Sequence, residues 1–445
     1  MKSYGGFGMS ADSKYTKNIE QFICSREPKN RSGILMQDSA ARLGISVNEV
    51  EQIQKPYTFI YQRLPVEVEG EIVNISSGII LHNRARGPYK GGIRIARDVN
   101  VWETTELARL MTLKTALANL ELGGGKAGIL VNFEKLYERF KSRLKLDYYP
   151  FVDMLKDHIM KEFVDHFVER NLLRIYIPAP DMGSSGREMM LFYNKTHDPA
   201  SVTAKPEGIE GWLPGRHEAT GFGTAYAVLK YLEYLGKKPS RMTVGIQGFG
   251  NVGSHAAFYL REAGCKVVAV TDLHGGVYHK EGIDIPALMA YAREKRTIKG
   301  YDDKRTIDNE QLFSLPVDIL IPAASGHVVN AKNCDKVGVK LVVVEAANMP
   351  VTYDAFRRLK KRGIDLLPDN FVNSGGVIAS DLEYRQGLGG QRFNRNEVLA
   401  HLKGKFDEMF GEMLNRKDKS GSFTQAASDI ATERIYRAMK TRSLL

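Results

Sequence analysis

Met242-Thr243-Val244-Gly245-Ile246-Gln247 runs straight into Gly248-Phe249-Gly250-Asn251-Val252-Gly253. The first part reads as a short buried strand. The second has the spacing GxGxxG, and a helical pattern follows it. In that setting each glycine has a task. The first permits a tight turn, the second lets backbone approach a pyrophosphate, and the third lets helix and strand pack closely. The helix N-terminus adds free N–H groups and the positive end of its dipole. The stretch therefore predicts a dinucleotide-binding unit.

Downstream of residue 216, apolar runs at 266–271, 318–321 and 340–345 alternate with helical patterns. That alternation predicts an α/β, Rossmann-type doubly wound parallel sheet with helices on both faces. The run at 266–271 leads to Asp272, which lies 272 − 248 = 24 residues after the first glycine. Asp272 has two readings. It is the acid that takes the ribose hydroxyls and repels a 2′-phosphate, favouring NAD over NADP, or it is a turn residue before Gly275-Gly276.

Upstream, residues 34–56 read as helix with a turn near Gly44, and strands alternate through 64–82. A basic Gly-rich loop follows at 84–92. The spacing predicts a helix over 101–119, capped by Asn100 with Glu103. Leu107, Leu110, Met111, Leu117 and Glu121 mark one of its faces, which also carries Lys114. A second Gly-rich segment, 123–126, leads into a strand at 129–131. A strand at 174–177 ends in the Pro-stiffened run to Gly183. Residues 194–215 read as loop, the chain after Gly390 as helix, and residues 1–33 as a polar, frayed segment.

The whole chain has 445 residues, 43% hydrophobic and 26% charged, the make-up of a soluble protein of two or three domains. No apolar run is long enough for a membrane span, and the start lacks the pattern of a signal peptide. Lys plus Arg exceed Asp plus Glu by 63 − 52 = 11. That excess suits acidic partners or solvated helix faces. Its clusters, 141–145 and 357–362, read as amphipathic helix without a nucleic-acid motif, so no nucleic acid is expected. The cysteines, Cys24, Cys265 and Cys334, are too few and too scattered for a disulfide framework or a metal site. A cytoplasmic protein with no metal is expected.

Three lysines, Lys90, Lys114 and Lys126, emerge from Gly-rich or apolar settings. An ammonium group is costly to bury unpaired. Lys114 therefore snorkels, pairs with Glu106 or Glu121, or meets an anion. Clustered and half-buried, such lysines have depressed pKa values and can do proton chemistry or hold carboxylates. Asp181 is either a proton shuttle or a cap for the helix starting near Ser184.

These residues sit in RGPYKGGIR (86–94), MTLKTALANLELGGGKAGI (111–129), PAPDMG (178–183), GRHEATGFG (215–223), GFGNVG (248–253) and NSGGVIAS (373–380). Together, and in this order, they resemble the glutamate dehydrogenase branch of the Glu/Leu/Phe/Val dehydrogenase family. The resemblance implies a substrate and oligomerisation domain at 1–215, with 422–445 packing back on it, and a Rossmann domain at 216–421. It also implies reversible oxidative deamination of L-glutamate to 2-oxoglutarate and ammonia with NAD or NADP, in a homo-oligomer that is a hexamer.

The resemblance implies roles residue by residue. Lys126 is the catalytic lysine and Asp181 its acid/base partner. Lys114, beside Met111, holds the α-carboxylate. Lys90 and Ser380 hold the γ-carboxylate, with Ala179 and Val377 lining the pocket. Thr220, Asn251, Asn348 and Asn373 meet the nicotinamide half of the cofactor. Phe249 and Val252 lie within the phosphate loop. Leu113, Ala127, Trp212-Leu213-Pro214 and 387–392 depart from the family pattern. A dehydrogenase for leucine, valine or phenylalanine, and a non-catalytic regulatory or structural paralogue, are the competing readings.

Overall fold

The computed structural model describes residues 31–445, so Cys24 and the polar segment at 1–30 lie outside the described residues. Within them the chain forms two compact units. One holds 51–112 and 122–206, and the other holds 31–50, 113–121 and 207–445.

The first unit is built on a sheet of five strands in the order β1-β2-β4-β3-β5. They are β1 (Thr58–Val68), β2 (Glu71–Asn83), β3 (Tyr89–Ala96), β4 (Gly124–Leu130) and β5 (Tyr176–Pro180). β1, β2 and β4 pair antiparallel, whereas β3 runs parallel to both β4 and β5. Successive side chains of a strand face opposite sides. Tyr89, Ile93, Ile95, Ala127, Ile129 and Tyr176 therefore enter one apolar core with Phe151, Leu155, Ile159 and Phe163 of the helix Tyr148–Glu169. Lys90, Gly92, Arg94, Gly124, Lys126 and Gly128 alternate with them and share the opposite face. On that face Ile80 packs with Val101 and Ala108 of the helix Val101–Leu117.

Of the expected loop at 84–92, residues 89–92 prove to be strand and 84–88 remain a turn, and in the second Gly-rich segment the strand begins already at Gly124. A Cβ on Gly91 would stand 1.8 Å from the Gly125 carbonyl oxygen. One on Gly124 would stand 2.2 Å from the Thr112 backbone nitrogen, so only glycine lets the helix Val101–Leu117 lie this close to β4. Asn100 caps this helix as expected, accepting from Glu103 N at 2.9 Å. The helix stops at Leu117, and Asn119 turns left-handed with φ 51°. Glu121 therefore leaves the expected face and pairs with Arg385 instead.

The second unit holds seven strands in the order β12-β11-β10-β6-β7-β8-β9. They are β6 (Thr243–Gln247), β7 (Lys266–Thr271), β8 (Gly276–Tyr278), β9 (Thr306–Ile307), β10 (Ile319–Pro322), β11 (Val342–Val344) and β12 (Asp365–Leu367). β12, β11, β10, β6 and β7 are parallel, and β8 and β9 add an antiparallel edge. The chain leaves β6 for β7 on one side and later returns to β10 on the other. The strand order thus reverses at the carboxyl end of β6, the place where open α/β sheets bind ligands.

The division differs from the expected boundary at 215. The helix Phe423–Thr441 belongs to the second unit, with the helices Arg31–Leu43 and Arg395–Ser420. Ser39 and Ser428 hydroxyls meet at 2.8 Å, and Arg42 bonds Asp429 at 2.6 Å. Residues 31–33, expected as frayed, open the first of these helices and are buried. Within the basic run 357–362, Arg358 pairs with Asp335, Arg362 caps the Cys334 and Val337 carbonyls, and Lys360 bonds Gln425. These three are structural. No helix among the described residues is long and apolar enough to cross a membrane.

Candidate active site

In the first unit the alternation that fills the core leaves a row of cations on the other face. Lys90 is 2% exposed and Lys126 3%. Gly92, on the strand of Lys90, has no side chain and so leaves room for Asp181 and Lys126. A Cβ there would lie 2.8 Å from Asp181 Cβ and 3.2 Å from Lys126 Nζ. Lys126 Nζ donates to Asp181 Oδ2 at 2.5 Å, and Arg94 Nε donates to Oδ1 at 2.9 Å. Arg94 also pairs with Glu103. Burial opposes the charge on Asp181, yet Lys126 and Arg94 hold its carboxyl well below the usual carboxylate range.

The turn after β5 sets this aspartate. Asp181 N donates to Ser184 Oγ, which donates to the Ile93 carbonyl at 2.6 Å. Gly183, at φ 82°, comes so near Ile95 that a Cβ would lie 1.9 Å from its carbonyl oxygen. The helix Gly186–Thr196 is capped by Ser185 with Glu188, so the Asp181 side chain is free of the capping task. Ala179, on β5, is buried beside Gly92.

Arg94 was given no role from sequence, although it stands in the motif of Lys90. The signal was the spacing Lys90, Gly92, Arg94, which puts all three on one face only if the segment is a strand.

Asp181→Asn keeps the shape but removes the charge, and we expect turnover to fall by about 10²- to 10⁴-fold. Because the native pKa is depressed, the ionised group stabilises the fold above the ordinary carboxylate range. That contribution is lost as pH falls through the lowered value. The variant is therefore also expected to show a shallower fall of melting temperature toward acid pH. A turnover within threefold of the parent, measured at saturating substrates, would remove Asp181 from the chemistry.

In the second unit Lys114 Nζ meets Asn348 Oδ1 at 3.4 Å, which in turn accepts from Asn373 Nδ2 at 3.1 Å. Asn373 Nδ2 also reaches the Ala346 and Ala347 carbonyls, each at 3.2 Å. Its Oδ1 is buried without a partner among the described residues, as is Gln247 Oε1 at the end of β6. Such orphaned acceptors suit the donors of a bound group. Val377 and Ser380 are buried on the helix Gly375–Gly389. Met111, half-buried on the helix Val101–Leu117, belongs to the first unit, unlike Lys114.

The N-terminus of Gly375–Gly389 packs against that of the helix Ala219–Tyr234, where a Cβ on Gly376 would lie 2.7 Å from Thr220 Oγ1. Arg216 adjoins this junction. The same Cβ would stand 3.6 Å from its Nη1, and its Nε is sealed from solvent with no partner among the described residues. Burial lowers its pKa against the pull of Glu383. Sequence reasoning quoted Arg216 within GRHEATGFG but gave it no role, because nothing local marks an arginine as buried.

The Gly-rich loop has the geometry its spacing implies. Gly248 turns at φ 95°, where a Cβ would press on Ala324 at 2.9 Å. A Cβ on Gly253 would lie 1.9 Å from the Gly248 carbonyl oxygen, while Gly250 has nothing within 4 Å of that position. The loop is thus tight at both ends and open in the middle, a cradle that fits a pyrophosphate. Phe249 is buried, Val252 is half-buried, and exposed Asn251 donates to the His217 carbonyl at 2.8 Å.

Asp272 takes the turn-forming geometry. Oδ1 accepts from His274 N and Gly275 N, and Oδ2 from Thr297 Oγ1 at 2.6 Å and Ile298 N at 2.8 Å. A carboxylate has about four lone-pair sites, and all are engaged. Burial opposes this charge too, but the Thr297 hydroxyl and the backbone donors keep the carboxyl low.

The sequence profile described as Glutamate/Leucine/Phenylalanine/Valine dehydrogenase matches residues 211–443. The profile of that family's dimerisation domain matches 56–198. A glutamate dehydrogenase of Thermotoga maritima is 34% identical, covering 98% of this chain and 100% of that protein. The crystal structure of glutamate dehydrogenase from Peptoniphilus asaccharolyticus is similar at TM-score 0.77 and 28% identity, covering 93% of this chain and 99% of the other. A hetero-hexameric glutamate dehydrogenase of Thermus thermophilus is similar at TM-score 0.82 and 25% identity, covering 94% and 99%.

Proposed function

Because the chain belongs to the Glu/Leu/Phe/Val dehydrogenase family, we propose that it interconverts L-glutamate with 2-oxoglutarate and ammonia, using a nicotinamide dinucleotide. The observation that carries this reading is the buried Lys126–Asp181 ion pair on a face shared with Lys90 and Arg94. The first unit supplies the proton chemistry. Lys126 polarises the substrate carbonyl and activates water, and its charge steadies the oxyanion formed when ammonia adds. Asp181, ionised at rest, takes a proton from the amine, while Lys126 stays protonated beside it. Lys90 meets the γ-carboxylate.

The second unit supplies Lys114 for the α-carboxylate, Ser380 for the γ-carboxylate and Arg216 as a further buried cation. Thr220, Asn251, Asn348 and Asn373 hold the nicotinamide half of the cofactor. The Gly248–Gly253 loop cradles the phosphates. When bound, the cofactor supplies hydride chemistry at the nicotinamide ring.

NAD is the proposed cofactor. The Asp272 charge at the end of β7 disfavours a 2′-phosphate, although its occupied lone pairs leave it little grip on ribose hydroxyls. We further propose a hexamer assembled from copies of this chain; the hetero-hexameric Thermus enzyme supports the number of subunits and not their identity. A cytoplasmic site is supported by two buried, unpaired cysteines, Cys265 and Cys334.

Steady-state rates with NADH and NADPH, ammonia and a panel of 2-oxo acids test the reading. Expected is a preference for 2-oxoglutarate and NADH. A faster reaction with the oxo acids of leucine or valine would overturn the substrate, and no oxidation of either nucleotide would overturn the activity.

A further inference from the structure

The segment 345–351 carries Asn348 and follows β11. Its backbone is bent, with Met349 at φ 48°, and it is tied both by backbone hydrogen bonds to Pro322, His327, Val329 and Leu367 and by buried acids. Glu345 Oε1 accepts from Val351 N at 3.2 Å, and Oε2 accepts from Asp369 N at 3.2 Å. Asp369 Oδ2 accepts from Met349 N at 2.8 Å. Two carboxylates, 0% and 4% exposed, thus hold the backbone just after the residue proposed to meet the nicotinamide. Left alone, they would repel each other in a low-dielectric interior.

The counter-charge comes from far away in sequence. Arg31, at the start of the helix Arg31–Leu43 and 6% exposed, donates to both oxygens of Glu345 at 2.6 Å. It also donates to the Val351 carbonyl at 2.8 Å and stands 3.6 Å from Asp369. Burial, which opposes the guanidinium charge, is outweighed by Glu345. For Glu345, burial dominates and pushes the carboxyl up to about 7.

We propose that Arg31 is a positioning residue for the cofactor site: it neutralises Glu345 and Asp369 and thereby holds the 345–351 segment, with Asn348, in its binding shape. This rests on the reading of Asn348 as a cofactor contact. Arg31 touches no reacting atom in this scheme and acts through the loop. Among the described residues, the charged groups facing Glu345 are Arg31 and Asp369, and the other contacts are the N–H groups of Val351 and Asp369. Without the arginine, Glu345 escapes repulsion only by taking a proton.

The test is titration of the full-length protein with NADH and NADPH in the absence of substrate, followed by fluorescence across pH. Binding by the parent protein is the control, and its absence would sink the dinucleotide reading rather than this one. Arg31→Met is expected to weaken binding about tenfold or more. The loss should be smallest at acid pH, where Glu345 is neutral, and grow as pH rises. Removing the orphaned charge in Arg31→Met/Glu345→Gln should restore most of the affinity and flatten the pH dependence. A merely structural role would lower melting temperature without that pH profile or that rescue. A folded Arg31→Met with parental affinity at every pH overturns the proposal. So does a double variant no better than the single one. Should Arg31→Met fail to fold, Arg31→Gln keeps a hydrogen-bond donor but loses the charge, and parental affinity there at every pH overturns it equally.

Discussion

Lys126→Ala is expected to lose turnover by about 10³-fold or more while still binding NADH. The two halves of that statement rest on different parts of the chain. Lys126 lies on β4 in the first compact unit, and the Gly248–Gly253 loop lies in the second. Removing the ammonium takes away the positive charge that steadies the oxyanion. Asp181 keeps Arg94 as a counter-ion, so the pocket is not left with an unpaired acid. Stopped-flow turnover and a separate NADH titration read the two effects independently. Turnover close to the parent would refute the assignment, and lost NADH binding would show that the variant is misfolded or the division of labour is wrong.

Lys90→Met should change what is accepted rather than whether chemistry occurs. Lys90 sits on β3 with its side chain on the Lys126 face, 2% exposed. A buried carboxylate that loses its ammonium partner costs about 3–5 kcal/mol. That predicts a fall of roughly 10²- to 10⁴-fold in kcat/KM for glutamate. An apolar amino acid of similar length pays no such penalty, and its kcat/KM should hold or rise. Competition of glutamate against norvaline and leucine checks this. If glutamate keeps its lead, the γ-carboxylate is held elsewhere.

The catalytic face was only half legible in the sequence. Lys90 and Lys126 stood out because lysines amid glycines are unusual, but the segment of Lys90 read as a loop and that of Lys126 as a lead-in to a strand. Glycine carries no side chain, so a strand made of it shows no alternation of apolar and polar residues. Only the strand pairing of β3 with β4 and β5 reveals that Arg94 shares a face with Lys90 and that Asp181, just past the Ile93–Pro180 pair, lies beside Arg94. Asp272 was ambiguous for a different reason. Its lone pairs are claimed by Thr297 and Ile298, beyond the reach of any local motif.

The dinucleotide loop, the parallel sheet behind it and the family of the chain were written in the order of the residues. Each depends on contacts between near neighbours: a strand, a turn that needs glycine, and a helix whose first N–H groups are unpaired. Which charges share a pocket was decided by the folded chain alone. Arg31 and Glu345 are 314 positions apart, and Lys126 and Asp181 are 55 apart. No local pattern encodes such pairs. They exist because burial makes an unpaired charge costly, and the fold brings an opposite charge to meet it.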